Sequence, residues 1–118
     1  MAARPYFLLS AATTNLTNLG NCNLAGGYVI NTNAATRYIK FYSVTQTGAV
    51  PVVGTTVPFL TVLLTASVGT TLDNVVPDWQ CLQSSGPLWF ATTTGVAFSD
   101  TAAVGAGDLY IHLALEGP

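Results

Sequence analysis

The sequence predicts an all-β chain: an antiparallel β-sandwich or jelly roll of about seven to eight strands, with little or no helix. Three observations lead there. Thr, Val and aromatic residues recur throughout, punctuated at short intervals by Gly, Pro, Asn and Asp. Leu109, Ile111, Leu113 and Leu115 alternate with Tyr110, His112, Ala114 and Glu116, the period-2 pattern of a strand with one buried face. No window of about 11 residues carries apolar positions at helical spacing with charges opposite.

In chain order, residues 1–12 read as an N-terminal arm or first strand. Arg4 precedes Tyr6-Phe7-Leu8-Leu9, a run shorter than the roughly 7–15 residues of a signal-peptide core and approached through Pro5, so a leader is not expected. Residues 11–19 are a weaker strand candidate. Residues 26–44 read as a hairpin, Tyr28-Val29-Ile30 turning through Asn31-Thr32-Asn33-Ala34 into Arg37–Val44. In that second strand Ile39 and Phe41 share one face, and Tyr38, Lys40 and Tyr42 the other. Residues 59–66 carry Leu60, Val62 and Leu64 on one face, yet Phe59 and Leu63 make the other apolar too. Such a strand is expected at the centre of a sandwich or pressed against a neighbour. Residues 70–76 and 88–93 complete the set before the final strand. Long non-helical links at 46–58, 77–87 and 95–107 join them, and at 118 residues one domain is the default.

Composition narrows the function classes. Only 7% of residues are charged and the formal net charge is −2, against about 25% charged in an ordinary domain. Three basic residues cannot neutralise the phosphates that drive nucleic-acid binding. The longest apolar stretch, Val57 to Leu64, holds Pro58 and Thr61 and falls short of the roughly 18 residues of a membrane span. Disorder is excluded by the combination of high hydrophobicity and low charge. The surface is therefore built from Thr, Asn, Ser, Gly and Ala, and it suits coverage by partners, because little charge is stranded when such a surface is buried.

A search for chemistry finds no catalytic set, no metal set and no cofactor motif. Asp73, Asp78, Asp100 and Asp108 lie in or beside turns, where Asp serves local backbone hydrogen bonds, and Glu116 ends the last strand. His112, the only imidazole, sits mid-strand on the polar face and reads as a solvent-facing or interface histidine. Gly105-Ala106-Gly107-Asp108 runs directly into a strand, so it reads as a tight turn rather than a phosphate loop. Cys22 and Cys81 permit buried thiols or one disulfide, within the chain or between subunits, and their spacing is not that of a C-x-x-C pair. Trp89 is assigned to the core. Trp79 is the better interface anchor, and with Asp78, Gln80 and Gln83 it admits a carbohydrate-binding reading. The candidate contact residues are Tyr38, Tyr42, Phe59, Leu63 and Trp79, since aromatics enrich interface cores.

Two stretches carry a family likeness. Leu88-Trp89-Phe90-Ala91-Thr92-Thr93-Thr94-Gly95-Val96-Ala97-Phe98-Ser99-Asp100-Thr101, followed by Val104 and Gly107-Asp108, is one. Ala34-Ala35-Thr36-Arg37-Tyr38-Ile39-Lys40-Phe41-Tyr42 is the other, with Gly26-Gly27-Tyr28-Val29-Ile30 before it and Pro58-Phe59-Leu60-Thr61 after it. Together they resemble a group of short structural proteins encoded by tailed bacteriophages, over roughly residues 15–116. The two cysteines and the 77–87 segment with Trp79 depart from that pattern. The resemblance implies a virion structural protein, a small sandwich that works by packing.

The resulting expectation is a non-enzymatic capsid decoration or cement protein, made in the host cytoplasm and carried on the particle surface. Its expected partners are its own copies, a trimer being favoured, and the major capsid protein. The alternatives are a neck, head-fibre or tail appendage subunit and, from another class, a carbohydrate-binding module.

Overall fold

A computed structural model describes residues 3–9, 16–43, 50–72, 87–102, 104–105 and 107–116. The described chain forms eight strands: β1 (Ala3–Leu9), β2 (Thr17–Asn21), β3 (Asn23–Asn31), β4 (Arg37–Ser43), β5 (Leu60–Leu64), β6 (Gly69–Thr71), β7 (Pro87–Thr93) and β8 (Leu109–Glu116). No α-helix occurs among the described residues.

Two four-stranded sheets hold these strands in the orders β1-β8-β3-β6 and β2-β7-β4-β5, and every pairing is antiparallel. The pairs are nested: β1 with β8, β2 with β7, β3 with β6 and β4 with β5. The first four strands run out and the last four run back beside them, and the long ribbon so formed is rolled into two layers. That arrangement is a jelly roll, in agreement with the fold class read from the sequence.

Alternation explains which side of each strand faces in. Val29 on β3 lies opposite Ile111 on β8, and in the other sheet Ile39 and Phe41 on β4 lie opposite Thr92 and Phe90 on β7. Leu24, Val29, Ile39, Phe41, Leu64, Leu88, Leu109, Ile111 and Leu113 are all fully buried and belong to one cluster between the sheets. Phe41 and Phe90 meet there in a tilted ring contact, centroids 6.4 Å apart.

The expected hairpin over 26–44 is corrected. β3 and β4 belong to different sheets, so their connection arches across the core instead of turning within one sheet. Buried Asn31 builds the arch: its Nδ2 donates to the carbonyls of Ala35 and Leu64, both at 3.0 Å, and its Oδ1 accepts from the Asn33 N–H. Asn-rich segments turn well locally, but turn chemistry does not say which sheet the next strand joins. Of the two places expected for residues 59–66, the central one is not found, since β5 is an edge strand. Residues 70–76 are described only as far as Leu72, with β6 ending at Thr71, and of residues 11–19 only the last few fall within the described β2.

One glycine is demanded by packing. Gly27 lies in β3 at φ +118°, and a Cβ there would fall on the carbonyl oxygen of His112 in β8. The register shifts just before it, between Leu24 and Gly26, so a bulge brings the two backbones together and only hydrogen fits between them.

Candidate interaction surfaces

Because β4 alternates, Tyr38, Lys40 and Tyr42 point away from the core, on the outer face of the β2-β7-β4-β5 sheet. Their cross-strand partners on β7 are Thr93, Ala91 and Trp89. Yet Lys40, Tyr42 and Thr93 are 0% exposed, so much of this outer face is covered. Part of the cover is the loop at residues 94–102. Lys40 Nζ donates to the carbonyl of Ala97 at 2.7 Å and to that of Asp100 at 3.5 Å. Burial lowers the ammonium pKa, and the nearby Asp100 carboxylate opposes the shift. A lysine with these bonds works as a strut: the flexible stem crosses the covered surface and the charged head holds two carbonyls of the loop.

The loop has its own internal bonds. Asp100 Oδ1 accepts from the Ala102 N–H at 2.9 Å, the Asp100 N–H donates to Ala97 O at 2.9 Å, and Thr94 N–H donates to Ala102 O at 3.0 Å. Gly95 has no room for a side chain, because a Cβ would overlap the Asp100 carboxylate. A second loop, residues 50–58, lies against the first: a Cβ on Gly54, at φ +91°, would stand 2.5 Å from Thr101 Cγ2. Its turn is fastened by Val52 N–H to Thr56 Oγ1 at 2.9 Å. These two loops carry five exposed apolar side chains, Val50, Val52, Val57, Val96 and Phe98, with Val96 at 62%. Both loops are thus internally bonded and apolar at the surface.

Asp108 ties the turn before β8 to the start of β4. Its carboxylate accepts from Gly105 N–H at 2.9 Å and Asn33 Nδ2 at 3.2 Å, and pairs with Arg37 Nε at 3.4 Å. Burial pushes its pKa up, but the three hydrogen bonds and the guanidinium charge outweigh that and hold it below the ordinary carboxylate value. Thr32 completes the joint, its hydroxyl donating to Gly107 O at 2.9 Å. Both described aspartates thus serve loop geometry, and Gly105–Asp108 is the expected turn, closed by Asp108 N–H to Gly105 O at 3.1 Å.

The five contact candidates fare unequally. Leu63 is 54% exposed on β5, and half-buried Tyr38 is its direct cross-strand neighbour. Phe59 packs against the core cluster on one side and stays partly open on the other. Tyr42 is corrected, since it is wholly buried, and that burial raises its phenol pKa. Trp89 moves the opposite way, from the expected core to the outer face opposite Tyr42, with Phe90 turned inward instead. The Tyr42 hydroxyl and Trp89 Nε1 are both buried without a hydrogen-bond partner. Cys22 is buried, its thiol 3.7 Å from Leu19 O. Trp79, Cys81, Asp73, Asp78, Gln80 and Gln83 lie outside the described residues.

Sequence reading missed two features. On the outer face of the β1-β8-β3-β6 sheet, Tyr28 stacks on His112 with centroids 5.1 Å apart and planes at 19°, beside exposed Ile30 and Tyr110. Alternation did place Tyr110 and His112 together, but their pairing with Tyr28 and Ile30 required the β3–β8 register. The Lys40 strut left no signal, because a lone lysine on an outward face ordinarily reads as solvated. Among the described residues no group of three or more His, Cys, Asp or Glu stands close enough to hold a metal ion, and no helix is long and apolar enough to cross a membrane.

The fold and its surfaces define an eight-stranded jelly roll whose conspicuous surface features are apolar loops and aromatic faces. No protein-family model, curated protein or solved structure matches the chain.

Proposed function

We propose that this chain is a non-enzymatic structural subunit of a bacteriophage particle, a decoration protein that docks on the major capsid lattice and reinforces the shell. The observation that carries the reading is the pair of bonded loops at 50–58 and 94–102. They present five exposed apolar side chains from a domain with only 7% charged residues. A surface of this kind adheres by area: each apolar contact contributes about 25 cal/mol per Å² removed from water, and little charge must be desolvated against it. The sequence likeness to short phage structural proteins supports the same reading. Jelly rolls serve in viral capsids and also in lectins, so the fold alone does not choose between them. The employment of Asp100 and Asp108 in loop bonds favours a packing role over catalysis.

Quantitative mass spectrometry of purified particles of the phage that encodes the chain tests this. Hundreds of copies per particle are expected. A dozen or so copies would move the protein to the neck or a fibre, and its absence from particles would overturn the virion reading.

A further inference from the structure

A two-layer sandwich has four edge strands, and exposed edges invite pairing with other chains unless they are blunted. Here β1, β2, β6 and β5 are the edges, and three of them carry recognised protection. β1 contains Arg4 and Pro5. β2 is irregular, with a register shift between Asn18 and Asn21 and Gly20 at φ +79°. β6 is three residues long. β5, Leu60-Thr61-Val62-Leu63-Leu64, has none: no charge, no proline, no bulge, and five successive residues in unbroken register with β4. From outside β4, the Asn31 side chain donates to the Leu64 carbonyl.

Cover is incomplete at the start of this edge. Phe59 and Leu60, at the entry to β5, are the partly buried apolar residues packed against the core cluster. On the outside, Leu63 is 54% exposed and Val57, just upstream, 58%.

We propose that β5 pairs with β5 of a second copy of this chain, antiparallel and about a two-fold axis through Val62. A second copy suits the strand because β5 carries no charge, so self-pairing sets no like charges opposite one another. Opposed residues in an antiparallel pair share a face, so the register must set inward residues against inward ones. Centring on Val62 does this over the full strand. Leu60 meets Leu64 of the second copy, Val62 meets Val62, and Thr61 meets Leu63. A one-residue slip would put Leu64 opposite Thr61 and break the match. An isologous contact of this sort closes at two subunits. It joins the two β2-β7-β4-β5 sheets into one of eight strands and covers Leu60, Phe59 and Leu63. Five paired residues alone make a small interface beside the roughly 1,200–2,000 Å² of stable ones. The flanking apolar Phe59 and Val57 enlarge it.

Sedimentation equilibrium of the isolated full chain tests the proposal without reference to any particle, so its failure is distinct from failure of the capsid reading. The expected mass is twice that of the chain. Leu63→Lys, at an exposed position, should shift it to the monomer with an unchanged circular dichroism spectrum, whereas Tyr110→Lys, on the other sheet, should leave the dimer. As a check of register, the Thr61→Cys/Leu63→Cys double variant should form a disulfide-linked dimer on oxidation that the unsubstituted chain does not. A monomeric or trimeric unsubstituted chain, a Leu63→Lys dimer, or no cross-link in the double variant would overturn it.

Discussion

Asp108 shows how much of this molecule's limited charge is spent on joining segments. Its carboxylate receives Gly105, Asn33 and Arg37, three groups from two turns and the start of a strand. Because its folded pKa lies below the ordinary 3.8, the ionised form is bound more tightly in the folded chain than in the unfolded one. The stabilisation is therefore complete above the unfolded value and disappears as the pH falls through the folded one. Asp108→Asn should cost about 1–2 kcal/mol at pH 7. Urea titrations of both proteins should show the difference shrinking as the pH drops below 3.8. The role was partly legible, since Asp before a strand predicts a local backbone bond. Its partner Arg37 was not, because 71 residues separate them and only the fold brings them together.

At the scale of elements, the β3–β8 pair is the tightest constraint. Gly27 occupies a backbone conformation that other residues rarely adopt, and its neighbour is the β8 main chain rather than a movable side chain. Gly27→Ala should therefore destabilise by at least about 2 kcal/mol, read as a lower urea midpoint, while Gly107→Ala should cost less. Gly107 also has a positive φ, but nothing lies within 4 Å of the added carbon. β8 was legible because its alternation is strict and its inward residues are large, and β4 and β7 because aromatic, aliphatic and Thr residues run there between turn-forming segments. β5 was left between two places for a physical reason. Apolar residues on both sides suggest a buried strand, yet an edge strand at an unprotected seam shows the same composition. The letters do not distinguish cover supplied by the chain from cover supplied by a partner.

For the whole molecule, an all-β two-layer architecture followed from composition and period alone, whereas its topology did not. Consecutive strands usually neighbour one another, and that prior favoured a hairpin at 26–44. In the nested ribbon only β4 and β5 are both consecutive and paired, so local cues mislead at nearly every link. Surface function was less legible still. Trp79 apart, the contact residues were sought on strand faces, while the most exposed apolar side chains, Val50, Val52, Val57 and Val96, sit on connectors whose mutual packing has no periodic signal.

Lys40 is the only lysine in the chain, and its nitrogen is locked beneath a loop. Its ε-amine should accordingly be silent toward acylating reagents in the folded protein. In urea it should react freely, so peptide mapping of the modified chain gives a direct count of molecules that have opened. The same property bears on how the protein is immobilised or imaged. Dyes and surfaces that couple through lysine will select unfolded material, and a tag placed elsewhere is needed to follow the native form.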